Sequence, residues 1–183
     1  MATMLAQTTS VMRTNPGYLV MSPYSKQGQQ LDLGAIPHAD QLLAKALKEL
    51  QPVREDYQTS SYVSAFNWPT IIERLRAWVQ EAAFEWKEMR LYVIVFRSAN
   101  PPGIDRQKLW ALDEDAFTEA MVGGGLYRYW CGEPDQDGNN LSTCEWFLTS
   151  ATVAVAEPYR HMALSTTRSG RYGRQSPPRS VQS

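Results

Sequence analysis

Two short stretches in the second half of the chain carry the residues best suited to chemistry. Residues 126–131 and 140–147 are rich in aromatic and β-branched side chains, and the segment 134–139 between them is typical of a turn. They are predicted to pair as antiparallel strands, with Arg128 and Glu145 as cross-strand neighbours. Such a pair is either a solvent-exposed ion pair or a functional group, namely a desolvated carboxylate with a raised pKa or a clamp on a substrate carbonyl.

Hydrogen-bond donors on these strands could polarise the carbonyl of a bound substrate. One such donor lowers a barrier by a few kcal/mol in oxyanion-hole groups, and enforced proximity can contribute more. The candidate catalytic residues are Arg128, Tyr129, Glu145 and Tyr127. The candidate substrate-binding residues are Tyr92, Phe96, Trp130, Cys144, Trp146 and Trp78.

Strand alternation assigns these side chains to two sheet faces. Tyr127, Tyr129 and Cys131 are expected on one face, opposite Leu126, Arg128 and Trp130. Glu145 is expected to share a face with Leu141, Thr143 and Phe147, opposite Ser142, Cys144 and Trp146. One face must cover helices and the other is free to build a pocket, and the periodicity leaves open which is which.

Other reactive residue types give weaker signals. The histidines, His38 and His161, lack metal-ligand spacing and are interpreted as surface or packing residues. A nucleophilic role for Cys131 or Cys144 would need a base that the sequence does not predict. Asp113, near a predicted helix start, is interpreted as compensating the helix dipole. No metal or cofactor is expected.

Composition narrows the function classes. The net charge is −1, so no charge excess favours nucleic acid or an anionic membrane. No stretch approaches the roughly 20 apolar residues of a membrane span. Two cysteines do not make a disulfide framework, and a cytoplasmic location with reduced thiols is expected. The six tryptophans fit a core, or a pocket, lined with large flat side chains.

The elements that must position these residues follow from hydrophobic periodicity. Apolar residues at helical spacing predict helices over 39–51 and 69–87. The run 91–96 is apolar on both faces and predicts a central strand. Further predicted elements are a helix over 109–122, strands over 126–131 and 140–147, and a last helix over 149–164. The expected fold class is therefore α+β, with a β-α-β-β-α unit.

The predicted domain organisation has three parts. Residues 1–37 are expected to form a partly disordered arm, and residues 38–166 a single α+β domain whose β-α-β-β-α unit spans about 90–165. Residues 167–183 carry Arg, Ser, Gly and Pro without an acidic residue and are predicted to be a disordered tail.

A series of short motifs resembles a family of small, functionally uncharacterised fungal proteins. The series is Asn67-Trp68, Glu85-Trp86-Lys87, Phe96-Arg97-Ser98, Leu109-Trp110-Ala111-Leu112-Asp113, Gly124-Gly125-Leu126, Tyr129-Trp130-Cys131-Gly132 and 140–146. The resemblance covers about 62–163 and implies a ferredoxin-like core of the dimeric α/β-barrel type. It also implies that the open sheet face packs against a second copy, so a homodimer is an expected partner.

The sequence departs from the family pattern in two ways. Glu145 stands where an apolar residue is usual. No closing strand follows the predicted last helix: either an N-terminal segment such as 18–21 replaces it, or the gene model is wrong at its end. Both departures put the standard dimer geometry in doubt.

The resemblance implies a function in fungal specialised metabolism. The wider dimeric-barrel superfamily encloses hydrophobic substrates and includes cofactor-free cyclases, isomerases and monooxygenases. The expected function is a cofactor-independent cyclase or pericyclase, Diels–Alderase-like, acting on a hydrophobic terpenoid or polyketide intermediate. The alternatives are a non-catalytic ligand-binding or stress-related protein and a cofactor-free monooxygenase.

Overall fold

A computed structural model describes residues 17–147. Its elements are β1 (Tyr18–Leu19), β2 (Leu31–Asp32), a 3-10 turn (Leu33–Ala35), α1 (His38–Leu47), α2 (Tyr62–Ala65), α3 (Trp68–Glu81), β3 (Leu91–Ala99), α4 (Arg106–Gly123), β4 (Leu126–Cys131) and β5 (Asn139–Phe147). The predicted last helix over 149–164, the question of the closing strand and the predicted tail lie outside the described residues.

The main sheet has three strands in the order β3-β5-β4, and both pairings are antiparallel. The strands β3 and β4 therefore run parallel to each other with β5 inserted between them, and α4 makes the crossover that connects them. A second, two-stranded antiparallel sheet joins β1 to β2. Small antiparallel sheets combined with helices confirm the α+β class.

One face of the main sheet, here called the N-terminal face, packs against the helices that precede the sheet. Its β5 residues are Leu141, Thr143, Glu145 and Phe147. Leu43 and Leu47 of α1 and Ile71 of α3 form one buried cluster with Leu141 and Tyr127 of the sheet. The amphipathic stripes predicted from the sequence are therefore what brings these helices onto the sheet.

The opposite face, here called the α4 face, carries Ser142, Cys144 and Trp146 of β5. Trp146 and Leu126 pack against Phe117 and Ala120, the two fully buried residues of α4. Asp105 caps this helix, since its side chain accepts a hydrogen bond from the Lys108 amide (3.0 Å). The cap explains why α4 begins three residues before the predicted start.

A β-bulge in β4 corrects the predicted assignment of faces. The register shifts between Leu126, which lies opposite Trp146, and Arg128, which lies opposite Glu145. The extra residue, Tyr127, turns to the N-terminal face, whereas Leu126 stays on the α4 face. The predicted grouping of Tyr127 with Tyr129 and of Leu126 with Arg128 is therefore wrong.

The segment around Met21, which follows β1, lies along the edge of β4 that does not pair with β5. The backbone amide of Tyr129 donates a hydrogen bond to the Met21 carbonyl (3.0 Å), and the Arg128 guanidinium donates to the same oxygen (2.9 Å). Met21 and Leu31 are buried in the core below the N-terminal face. Residues 17–37, which fall in the predicted arm, thus pack on the domain and cover an edge strand that would otherwise be unpaired.

We expect the packing of α1 on the sheet to make a large contribution to stability. Leu47 is fully buried, so the substitution Leu47→Ala should lower the free energy of unfolding by about 2–5 kcal/mol through lost burial and the cavity it leaves. The control is Val63→Ala, at a position 63% exposed, which should change it by less than about 0.5 kcal/mol. Urea denaturation measures both, and equal effects would contradict the described packing.

Candidate functional site

A groove lies between α4 and the α4 face of the sheet. The helix packs over β4 and β5 and leaves the β3 side of this face uncovered. The cavity has a volume of about 410 Å³, which falls within the range of small-molecule sites. Two of its walls are apolar: Ile94 and Phe96 come from β3, and Leu109, Leu112 and Ala116 come from α4.

The floor of the groove is the α4 face of the central strand. Ser142, Cys144 and Trp146 alternate along β5 and all line the cavity. This row is a direct result of the period-two alternation of a strand. The groove therefore combines aliphatic walls with a floor of small polar groups and one indole ring.

The polar part of the groove is organised around the Asp113 carboxylate of α4. Tyr129 donates its hydroxyl hydrogen to this carboxylate (2.6 and 2.8 Å to the two oxygens), and Tyr24 donates to it as well (2.5 Å). Burial, together with the neighbouring negative charges, raises the pKa of both tyrosines well above its usual value. Both phenols are therefore neutral donors whose hydrogens are already committed to Asp113.

The two cysteines of the groove are held in the thiol form. Burial raises the pKa of Cys131 to about 11, and the nearby Asp113 carboxylate adds to the effect. Burial also raises the pKa of Cys144 well above its usual value. Because the nucleophile in cysteine chemistry is the thiolate, these residues are suited to contacting an apolar molecule and poorly suited to attacking it.

The structure separates the predicted site residues between the two faces. Of the four catalytic candidates, Tyr129 lines the groove, and Tyr127, Arg128 and Glu145 lie on the N-terminal face. The substrate-binding candidates divide similarly. Phe96, Cys144 and Trp146 line the groove and Tyr92 shares their face, whereas Trp130 and Trp78 pack against the core of the N-terminal face.

Glu145 belongs to a buried polar cluster beneath the helices. It is fully buried, and its Oε1 accepts a hydrogen bond from the Tyr62 hydroxyl (2.9 Å). Arg128 lies directly across the strands, yet the two side chains form no ion pair: Arg128 Nε and Glu145 Oε2 have no hydrogen-bond partner. Arg128 and Glu145 are therefore cross-strand neighbours, as predicted. Glu145 is buried and Arg128 is partly buried, so the solvent-exposed ion pair that the sequence also allowed is not formed.

Burial dominates the protonation of this cluster. It raises the pKa of Glu145 to about 7, and the hydroxyls of Thr143 and Tyr62 and the charge of Arg128 offset the rise only in part. Burial also lowers the pKa of Arg128. Because Glu145 is fully buried beside the packed side chains of the N-terminal face, its desolvated carboxyl group belongs to the core and does not line the groove.

Sequence reasoning missed the place of Asp113 in the groove lining and the hydrogen bond that Tyr24 donates to it. Asp113 shares a helix face with Phe117 and Ala120, both buried. An acidic residue in an apolar stripe is a signal that its carboxylate has a partner in the fold. Tyr24 lies in the predicted arm, and no local pattern indicates that it reaches α4.

Within residues 17–147, no three His, Cys, Asp or Glu side chains come together in a way that could hold a metal ion. None of the helices described there is both long and apolar enough to cross a membrane. The candidate site in the described part of the chain is therefore the apolar groove with its neutral thiols and its tyrosine–aspartate contact.

The fold and groove define a small α+β protein with a three-stranded antiparallel sheet, helices on both faces and an open apolar groove beside α4. The chain belongs to the PB2B2.08-like family, whose model matches residues 20–174. The UPF0643 protein PB2B2.08 of Schizosaccharomyces pombe is 32% identical over 142 residues, which cover 73% of this chain and 64% of that protein. No solved structure matches the chain. Membership of a fungal family is thus confirmed.

The raised pKa of Glu145 predicts the direction in which the stability of the protein changes with pH. Between about pH 4.5 and 7 the folded state holds a proton that the unfolded state has lost, so stability should fall as the pH rises through this window. In the unsubstituted protein the free energy of unfolding should fall by on the order of 3 kcal/mol between pH 5 and pH 8. The substitution Glu145→Gln should abolish this fall, because an amide does not ionise.

Urea denaturation at several pH values measures this effect. The exposed Glu73→Gln serves as the control and should keep the pH dependence of the unsubstituted protein. An unchanged slope in Glu145→Gln would show that Glu145 does not titrate in this window.

Proposed function

We propose that this protein is a cofactor-independent cyclase or pericyclase that binds a hydrophobic terpenoid or polyketide intermediate in the groove between α4 and β3. The observation that carries the proposal is the groove itself, with about 410 Å³ of space and apolar walls from β3 and α4. A pocket of this composition orients an apolar chain by shape. Bringing the two ends of one molecule into reacting distance lowers the barrier to cyclisation without a reactive side chain.

The chemistry available in the groove fits a reaction that needs no nucleophile. Both thiols are protonated, and the Asp113 carboxylate is bound by two phenols. A lining without a thiolate or another free nucleophile on its floor leaves a reactive polyene intact while it is folded. The Ser142 hydroxyl and the Cys144 thiol on the floor can contact a carbonyl of the ligand.

We further propose that β3, α4, β4 and β5 are the first four of the six elements of a ferredoxin-like unit. The strand order β3-β5-β4 with a helical crossover supports this interpretation. The helices α1 and α3 occupy the N-terminal face, which a barrel dimer would use. A homodimer would therefore form through another surface. Two free cysteines fit the proposed cytoplasmic location.

A second candidate function, a non-catalytic binding protein for the same class of molecule, is favoured by one observation. The hydroxyl hydrogens of Tyr24 and Tyr129 both point to Asp113. Neither tyrosine therefore has a free hydrogen to donate to a bound carbonyl. If polarisation of the ligand by a tyrosine is essential to the reaction, this groove binds its ligand without converting it.

A matched pair of substitutions on α4 tests the site. Ala116 lines the groove, and Ala111 is an exposed residue of the same helix outside the groove lining. Incubating the full chain with an extract from a strain that lacks its gene should convert one compound into a product of unchanged mass. Ala116→Phe should slow this conversion by about tenfold or more by filling the groove, and Ala111→Phe should leave it unchanged.

The outcomes separate the candidate functions. Mass spectrometry of a bound but unconverted compound supports the binding protein, and a mass gain of one oxygen supports a monooxygenase. Equal rates in Ala116→Phe and Ala111→Phe, with circular dichroism confirming that both are folded, would remove the groove as the site. Failure to bind or convert any compound overturns both candidate functions.

A further inference from the structure

The floor of the groove changes from polar to apolar along its length. The central strand β5 presents Asn140, Ser142, Cys144 and Trp146 to the groove in that order. The order runs from a side-chain amide, through a hydroxyl and a thiol, to an indole ring that is fully buried. At 3.4 Å per residue this row is about 20 Å long. The floor alone therefore gives the groove two chemically different ends.

The other parts of the lining follow the same direction. At one end, here called the polar end, the two outer strands, the helix and the segment after β4 bring together charged and hydrogen-bonding side chains, which include Ser98, Arg106, Glu133 and Asn140. At the other end, here called the apolar end, the lining includes four buried apolar side chains, Phe117, Ala120, Leu126 and Trp146. The groove is thus amphipathic along its axis.

We infer that the groove takes an amphipathic ligand with a carboxylate at one end and a hydrocarbon chain along the rest. The carboxylate binds Arg106 at the polar end, and the chain runs over the floor toward Trp146. The place of the ligand rests on the proposed function, and the inference adds the chemical class of the ligand and its direction in the groove.

Arg106 is the cation of the lining that a ligand can reach at small cost. The other arginine there, Arg97, donates hydrogen bonds to the carbonyls of Gln58 and Ser60. Arg106 forms an ion pair with Glu133 (3.4 Å), and both side chains are more than half exposed. Because such an exposed pair contributes little free energy, a ligand carboxylate can take the place of Glu133. A guanidinium can bind that carboxylate through two parallel hydrogen bonds.

The opposite direction would place the carboxylate among buried apolar side chains. Phe117, Leu126 and Trp146 are each less than 5% exposed, and an unpaired charge beside them would cost free energy. The Asp113 carboxylate lies partway along the α4 wall and would repel a second carboxylate that approached it. Both effects favour the direction in which the carboxylate lies beside Arg106.

Fluorescence titration of the full chain with cis-parinaric acid, a linear polyene acid, tests the recognition of the carboxylate. The acid should bind about tenfold more tightly than its methyl ester, because only the acid offers a carboxylate to Arg106. Arg106→Gln should abolish this difference by weakening the binding of the acid alone. The matched control, Lys108→Gln, removes the same charge at an exposed position of α4 outside the groove lining and should keep the difference.

Three results of the titration contradict the inference. The first is equal affinity for the acid and the ester, or no binding of either. The second is an equal loss of affinity in Arg106→Gln and Lys108→Gln, which would indicate a general effect of charge. The third is unchanged binding in Ala116→Phe, which would place the probe outside the groove that this substitution fills.

A photoreactive fatty acid with a diazirine beside its methyl end tests the direction of the ligand. After irradiation, mass spectrometry at residue level should find it attached at the apolar end, within 117–126 or beside Trp146. Attachment anywhere else, the polar end with Ser98 and Arg106 included, would contradict the proposed direction.

The measurements separate this inference from the proposed function. Conversion of a compound that has no carboxylate, by a chain that does not prefer the acid probe, would overturn the inference and leave the cyclase. Binding of the acid that depends on Arg106, without conversion of any compound, would overturn the cyclase and leave a groove that binds carboxylates.

Discussion

The central strand β5 is hydrogen-bonded to a neighbour along each edge and faces a different environment on each side. Because alternate residues of a strand point in opposite directions, one stretch of nine residues must satisfy two sets of contacts at once. Glu145 and Trp146 are adjacent in sequence and both are fully buried, yet one lies beneath the N-terminal helices and the other beneath α4. The division of the protein into an N-terminal face that packs on α1 and α3 and an α4 face that carries the groove depends on this strand.

Because Glu145 is buried on the N-terminal face, its protonation state affects the stability of the protein. Burying a carboxylate costs free energy unless it is neutralised or fully hydrogen-bonded. Glu145 receives one hydrogen bond from Tyr62, and Arg128 nearby is bound to the Met21 carbonyl instead. Arg128 thus holds the N-terminal segment to β4. Glu145 avoids the cost of a buried charge because it keeps its proton up to about pH 7. Both residues have structural partners within the fold.

The sequence was informative where one periodicity ran through one element. The stripes of α1 and α3, the apolar run of β3 and the alternation of β5 lie within single segments, and the structure has elements at those places. The bulge at Tyr127 was not predictable, since neither glycine nor proline marks it and it depends on pairing with β5. Tyr24 was missed for a similar reason, because its partner Asp113 lies 89 residues away. Contacts between segments that are distant in sequence determine which residues come together at the site, and local sequence patterns carry little information about such contacts.

The openness of the groove limits what it could bind by itself. An apolar guest that buries on the order of 200 Å² on one side gains about 5 kcal/mol at 25 cal/mol per Å². Association costs roughly 4–15 kcal/mol of lost freedom, so contact on one side alone yields weak binding at best. Cover over the open side of the groove would increase the apolar area that a guest buries. The neutral thiols and the engaged Asp113 carboxylate cannot supply the difference, because none of them offers an ion pair or a free strong donor to an apolar guest. Enclosure is therefore the physical condition under which this groove becomes a site.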